Sequence, residues 1–96
     1  MIYTLWIDYF ATGEGRTVFL NIVDANTKEQ ALSSMSRHIG QQYADYYMVG
    51  VKYEEGFNPK NQYVVECLSK TLIDKLEKNK DRAMIDIYCE QYFNFS

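Results

Sequence analysis

The chain has 96 residues, a formal net charge of −3 at pH 7, and 47% hydrophobic, 24% charged and 16% aromatic residues. That length predicts one domain over residues 1–96, able to bury a core without metal or disulfide staples, and the composition argues against disorder. The acidic balance disfavours a duplex-binding module, whose footprint is a basic face. There is no long apolar run to span a membrane, and Met1-Ile2-Tyr3-Thr4 lacks the basic-then-apolar pattern of a secretory signal, so the expected compartment is the cytoplasm.

Two β-prone runs open the chain, Ile2–Phe10 and Arg16–Asp24, around Ala11-Thr12-Gly13-Glu14-Gly15. Their β-branched and aromatic residues suit a pleated surface, and the glycines permit the reversal, so they predict an antiparallel hairpin. Asn26-Thr27-Lys28-Glu29 then reads as a helix start. Ala31, Leu32, Met35 and Ile39 share one face, and Gly40 is a stop, which places a helix at about 27–40.

Residues 46–54 alternate, with Tyr47, Val49, Val51 and Tyr53 on one side and Tyr46, Met48, Gly50 and Lys52 on the other, which predicts a strand. Glu55–Asn61 holds the only proline and reads as a loop. Gln62–Cys67 is read as another strand because Tyr-Val-Val is β-prone, with one long helix over 61–80 as the alternative. Ser69 is a good cap, Leu68 can staple against Ile73, and a helix follows over Lys70–Asn79. Ala83–Cys89 alternates as a last strand. The tail from Glu90 to Ser96 either extends it or folds back. The expected architecture is α+β: a two-layer, mostly antiparallel sheet of about five strands with two helices on one face, in the order ββαββαβ.

Catalytic signatures are lacking, and no enzyme is expected. His38 is the only histidine and reads as a partly exposed helix residue with no nucleophile in an elbow motif. Asp8, Asp24, Glu66 and Asp86 read as strand-end or solvated carboxylates. Neither metal nor cofactor is expected, because no metal-ligand spacing occurs and Gly13-Glu14-Gly15 precedes a strand where an anion site needs a helix start. Cys67 and Cys89 are read as reduced, buried thiols, with a disulfide between them as the alternative. Lys70, Lys75, Lys78, Lys80 and Arg82 alternate with Asp74, Glu77 and Asp81, a mixed-charge solvated face that makes nucleic acid the less favoured partner.

The positive signal is aromatic. Nine tyrosines and five phenylalanines exceed what a small core holds, and tyrosine gives contact area at low entropic cost. The expected contacts with a protein partner are Tyr43, Tyr46, Tyr47, Phe57, Tyr92, Phe93 and Phe95. Asp8, Asp45, Glu54 and Glu55 are the acidic contacts, placed to mimic phosphates. The tail also offers a surface for a homodimer, and an aromatic sheet face offers the alternative function of single-stranded RNA binding. In general build (short, starting at its own methionine, acidic, aromatic-rich, without catalytic motifs) the chain is similar to stand-alone bacteriophage proteins, anti-CRISPR proteins among them. That resemblance implies an inhibitor or adaptor that occludes a host protein's functional surface. It implies no particular residues.

Overall fold

The computed structural model describes residues 1–11, 13, 15–78 and 85–94. The opening hairpin forms as its sequence predicts: β1 (Ile2–Ala11) pairs antiparallel with β2 (Gly15–Asp24), from Ile2 opposite Asp24 to Ala11 opposite Gly15. Helix α1 (Lys28–Ile39) follows, capped by Thr27, whose hydroxyl accepts from the Gln30 backbone N–H, while Gln30 reaches back to the Asn26 N–H at 3.0 Å. The cap is therefore Thr27, one residue later than the expected Asn26, and Gln30 in place of Glu29 reaches back past it. Gly40 ends α1 at φ +99° and starts α2 (Gln41–Tyr47), which tightens into a 3-10 turn, Met48–Gly50. Strand β3 (Lys52–Glu55) pairs with β1, and α3 (Gln62–Cys67), α4 (Lys70–Lys78) and β4 (Asp86–Asn94) complete the chain.

Among the described residues the sheet has four antiparallel strands in the order β3-β1-β2-β4, so the α+β class stands and the count of five strands is corrected. Two segments cause the difference. Residues 46–50 are helical because Tyr43, Tyr46 and Tyr47 recur at helical spacing, Tyr46 and Tyr47 meeting Tyr9 and Phe19 while Tyr43 packs on Tyr47. Residues 62–67 are helical because the Asn61 side chain accepts from the N–H groups of Tyr63 and Val64, at 2.8 and 3.2 Å. A cap of that kind outweighs the β preference of Tyr-Val-Val. Leu68, in an extended conformation, then separates α3 from α4, where the Ser69 hydroxyl accepts from Leu72 N–H. The tail extends the last strand as far as Asn94. Residues 83 and 84, expected at its start, lie outside the described residues.

Helices cover both faces of the sheet, not one. Tyr3, Leu5 and Ile7 of β1 and Phe19 and Val23 of β2 pack on Ala31, Met35 and Ile39 of α1. The alternate residues of β2, Leu20 and Ile22, pack with Val64 of α3 and Leu76 of α4, joined by Trp6, Ile87 and Cys89. The two-layer expectation is therefore corrected to three layers. The central strands are apolar at successive positions, and a one-sided cover would leave half of that surface wet. Leu5 and Leu20 are fully buried, which stabilises the fold by about 1.5–3 kcal/mol for each side chain. Among the described residues, helices thus pack on both faces of the central strands.

Two buried polar side chains tie the layers together. Thr4 donates to the Gly56 carbonyl at 2.7 Å and holds the turn after β3. Asn21, fully buried, donates to Asp86 and to the Ile87 carbonyl and accepts from the Ser34 hydroxyl of α1. An unpaired amide at that depth would be costly, so this bonding fixes the register of β4 against β2 and α1.

Candidate functional site

Three side-chain groups stand out on this frame. The first is aromatic and grows from the end of α2. Tyr43 and Tyr47, four residues apart, project from one side of the helix. Tyr47 is half-buried and forms the hub: its ring centroid lies 4.8 Å from Phe19, 5.1 Å from Tyr9 and 5.0 Å from Tyr46. The Tyr9 and Tyr46 hydroxyls share a hydrogen bond at 2.7 Å. Those contacts hold the rings in fixed poses, yet Tyr43 stays 53% exposed and Tyr46 63%. Across from α2, Tyr92 of β4 lies over Gly15, where an added Cβ would come within 2.9 Å of its hydroxyl. Phe19, Tyr43, Tyr47, Glu90 and Tyr92 line an open groove of ≈ 510 Å³ between α2 and β4. Neither α2 nor β4 carries a lysine or arginine, while Asp45 and Glu90 are exposed, so the surface is aromatic with an acidic character.

The second group is ionic and sits on the opposite face. Arg16 donates from Nε and Nη2 to Asp8, at 2.8 and 3.2 Å, and from Nη2 to Glu66 at 2.8 Å. Its guanidinium lies 5.0 Å from the Phe93 ring centroid and 5.9 Å from that of Tyr63, which stacks on Trp6 at 5.5 Å. The hydrogen bonds to Asp8 and then Glu66 raise the Arg16 pKa further above its ordinary value, against the opposing effect of burial. Burial, then the Asp8 carboxylate, pushes the Tyr63 hydroxyl up. This set clamps α3 to the hairpin.

The third group joins α1 to β4. His38 Nε2 lies 2.9 Å from both carboxylate oxygens of Asp86, and its ring stacks on Tyr88 at 4.6 Å. Burial, then donation to Glu90 at 2.7 Å, holds the Tyr88 hydroxyl well above its ordinary range. His38 thus has an orienting carboxylate that its sequence neighbours do not reveal. Ser34 is 4% exposed and its hydroxyl donates to Asn21, which in turn donates to Asp86, so it is a structural link in this chain of bonds.

The expected contact residues are divided among these places. The structure brings Tyr43, Tyr46, Tyr47 and Tyr92 together, with Asp45 on the same helix. Phe93 lies on the other face under Arg16. Phe57 is half-buried in the second core. Glu54 accepts from Asn61 at 3.1 Å, and Glu55 is exposed on β3. Phe95 lies outside the described residues. Asp8, an acidic candidate, is taken up by Arg16 and Tyr63. Sequence reasoning missed Tyr9 and Phe19 as the support of the tyrosines. Their signal was the β1–β2 register, which sets Tyr9 opposite Thr17 and so one step from Phe19.

Cys67 and Cys89 are both free thiols, half-buried in the second core, with Cys89 Sγ donating to the Cys67 carbonyl at 3.6 Å. Burial, then the neighbouring Cys89, pushes the Cys67 thiol up to about 12. Among the described residues no cluster of three or more His, Cys, Asp or Glu side chains could hold a metal ion, and no helix is long and apolar enough to cross a membrane. Comparison with known proteins finds no matching family model, no similar curated protein and no similar solved structure.

Proposed function

We propose that this chain is a non-enzymatic protein-binding module that occludes a partner's functional surface with the aromatic groove between α2 and β4. The observation that carries the reading is that Tyr43, Tyr46 and Tyr92 are each more than half exposed, with Tyr46 packed on Tyr9 and Tyr43 on Tyr47. Solvated rings held in place lose little entropy on binding, and tyrosine supplies both apolar area and a hydroxyl. Glu90 lines the groove and Asp45 is exposed elsewhere on α2, acidic charges that steer a basic partner surface toward this part of the molecule. A platform for single-stranded RNA is not adopted, since helices cover both faces of the central strands.

The test is comparative affinity capture from a lysate of the source organism, using the wild-type chain, Tyr43→Ala/Tyr46→Ala, and Val65→Ala as an exposed apolar control on α3. The reading predicts a protein retained by wild type and Val65→Ala and lost by the tyrosine variant. Equal retention by all three chains, or by none, contradicts it.

A further inference from the structure

The two edges of the sheet are built differently. β3 is four residues long, and three of them, Lys52, Glu54 and Glu55, are charged, which is how natural sheets protect an edge. β4 runs for nine residues, Asp86 to Asn94, with no proline, glycine, lysine or arginine. It is the terminal strand of the sheet, and among the described residues no strand pairs with its outer side. The Asp24 N–H donates to the Ile85 carbonyl at 2.8 Å. From that bond, antiparallel alternation turns the backbone groups of Ile87, Cys89, Gln91 and Phe93 toward β2 and those of Tyr88, Glu90, Tyr92 and Asn94 outward.

We propose that a second copy of this chain occupies that edge, pairing β4 antiparallel with β4 about a two-fold axis at Tyr92 and making one eight-stranded sheet. Like charges disfavour registers centred nearer the start of the strand. An axis at Glu90 sets two carboxylates directly opposite each other. An axis at Gln91 makes the two Glu90 side chains diagonal neighbours, and an axis at Cys89 does the same for Asp86 and Glu90 of the other copy; both are within side-chain reach. With the axis at Tyr92, the tyrosines face one another and each Glu90 faces Asn94 of the second copy, a carboxylate against an amide donor. Such a contact is isologous and closes, so it stops at two chains. An axis normal to the sheet keeps both α2 helices on the same side, so the two tyrosine grooves lie side by side. The pairing is a property of the chain alone and does not depend on the partner proposed above.

The experiment is sedimentation velocity of the full chain over a concentration series, with amide hydrogen exchange at the same concentrations. The expected result is a mass of two chains, with the Glu90, Tyr92 and Asn94 amides gaining protection as the dimer fills. Asn94→Glu sets carboxylates opposite Glu90 at two symmetric places and raises the dissociation constant about tenfold. Glu90→Lys/Asn94→Glu restores opposite charges and recovers association. A single-chain mass throughout, protection of those amides that ignores concentration, or an Asn94→Glu chain that dimerises like wild type overturns the proposal.

Discussion

Arg16→Met keeps most of the volume of the side chain and removes the charge that joins β1, β2 and α3. The Arg16 side chain is 16% exposed, and the substitution leaves Asp8 and Glu66, 30% and 24% exposed, without their cation. Stranding fully buried carboxylates costs about 3–5 kcal/mol, and water reaching these two lowers that to about 2–3 kcal/mol. For a domain of this size that is a fall in Tm of roughly 10–20 °C. Arg16→Lys is expected to recover only part of the loss, because an ammonium cannot make the forked contact with Asp8. Urea unfolding followed by fluorescence of Trp6, the single tryptophan, reads the change beside the site itself. A double-mutant cycle with Glu66→Gln should show about 1 kcal/mol or more of coupling. A loss under about 0.5 kcal/mol, or no coupling, would refute the view that this pairing clamps α3 to the hairpin.

Leu76→Ala tests the second helical layer directly. Leu76 is 6% exposed and packs with Leu20 and Ile22, so the cost should be roughly 3 kcal/mol in the same urea assay, whereas a helix loose on that face would lose well under 1 kcal/mol. Cys67 makes stability depend on pH at the alkaline end. Its thiol has an ordinary value of 9.0 and about 12 in the folded chain, so the folded state holds the proton more tightly. That contribution is full below 9.0 and drains as pH rises toward 12. The Cys67→Ser chain should show a shallower decline across that window, and labelling of Cys67 by a thiol reagent at neutral pH should be far slower than that of a free peptide thiol.

What the sequence disclosed, and what it hid, follow from range. The hairpin, α1 and α4 rest on local signals: β-prone runs around a glycine-containing loop, cap residues and Gly40. Residues 46–54 alternate as a strand does, but Tyr43, Tyr46 and Tyr47 also recur at helical spacing, and the contacts with Tyr9 and Phe19 decide between the two periods. Asn61 carried the helix start of α3 in plain view, two residues after Pro59, and the β preference of Tyr-Val-Val masked it. The cover on both faces was legible in Leu5-Trp6-Ile7 and Val18-Phe19-Leu20, which are apolar at successive positions where a one-sided sheet alternates. The Arg16–Glu66 and His38–Asp86 pairings join residues 50 and 48 positions apart, and nothing local announces them.

The most direct test of the central claim, that the tyrosine groove is the binding surface, is a calorimetric titration of the captured partner. Wild type and Tyr43→Ala/Tyr46→Ala would be compared after matched circular dichroism and Tm show that both chains are folded. Loss of two anchoring rings should weaken binding by about tenfold or more, since each tenfold step is 1.4 kcal/mol and interface tyrosines often exceed that. An unchanged dissociation constant for the folded variant would contradict the claim and place the binding surface elsewhere on the molecule.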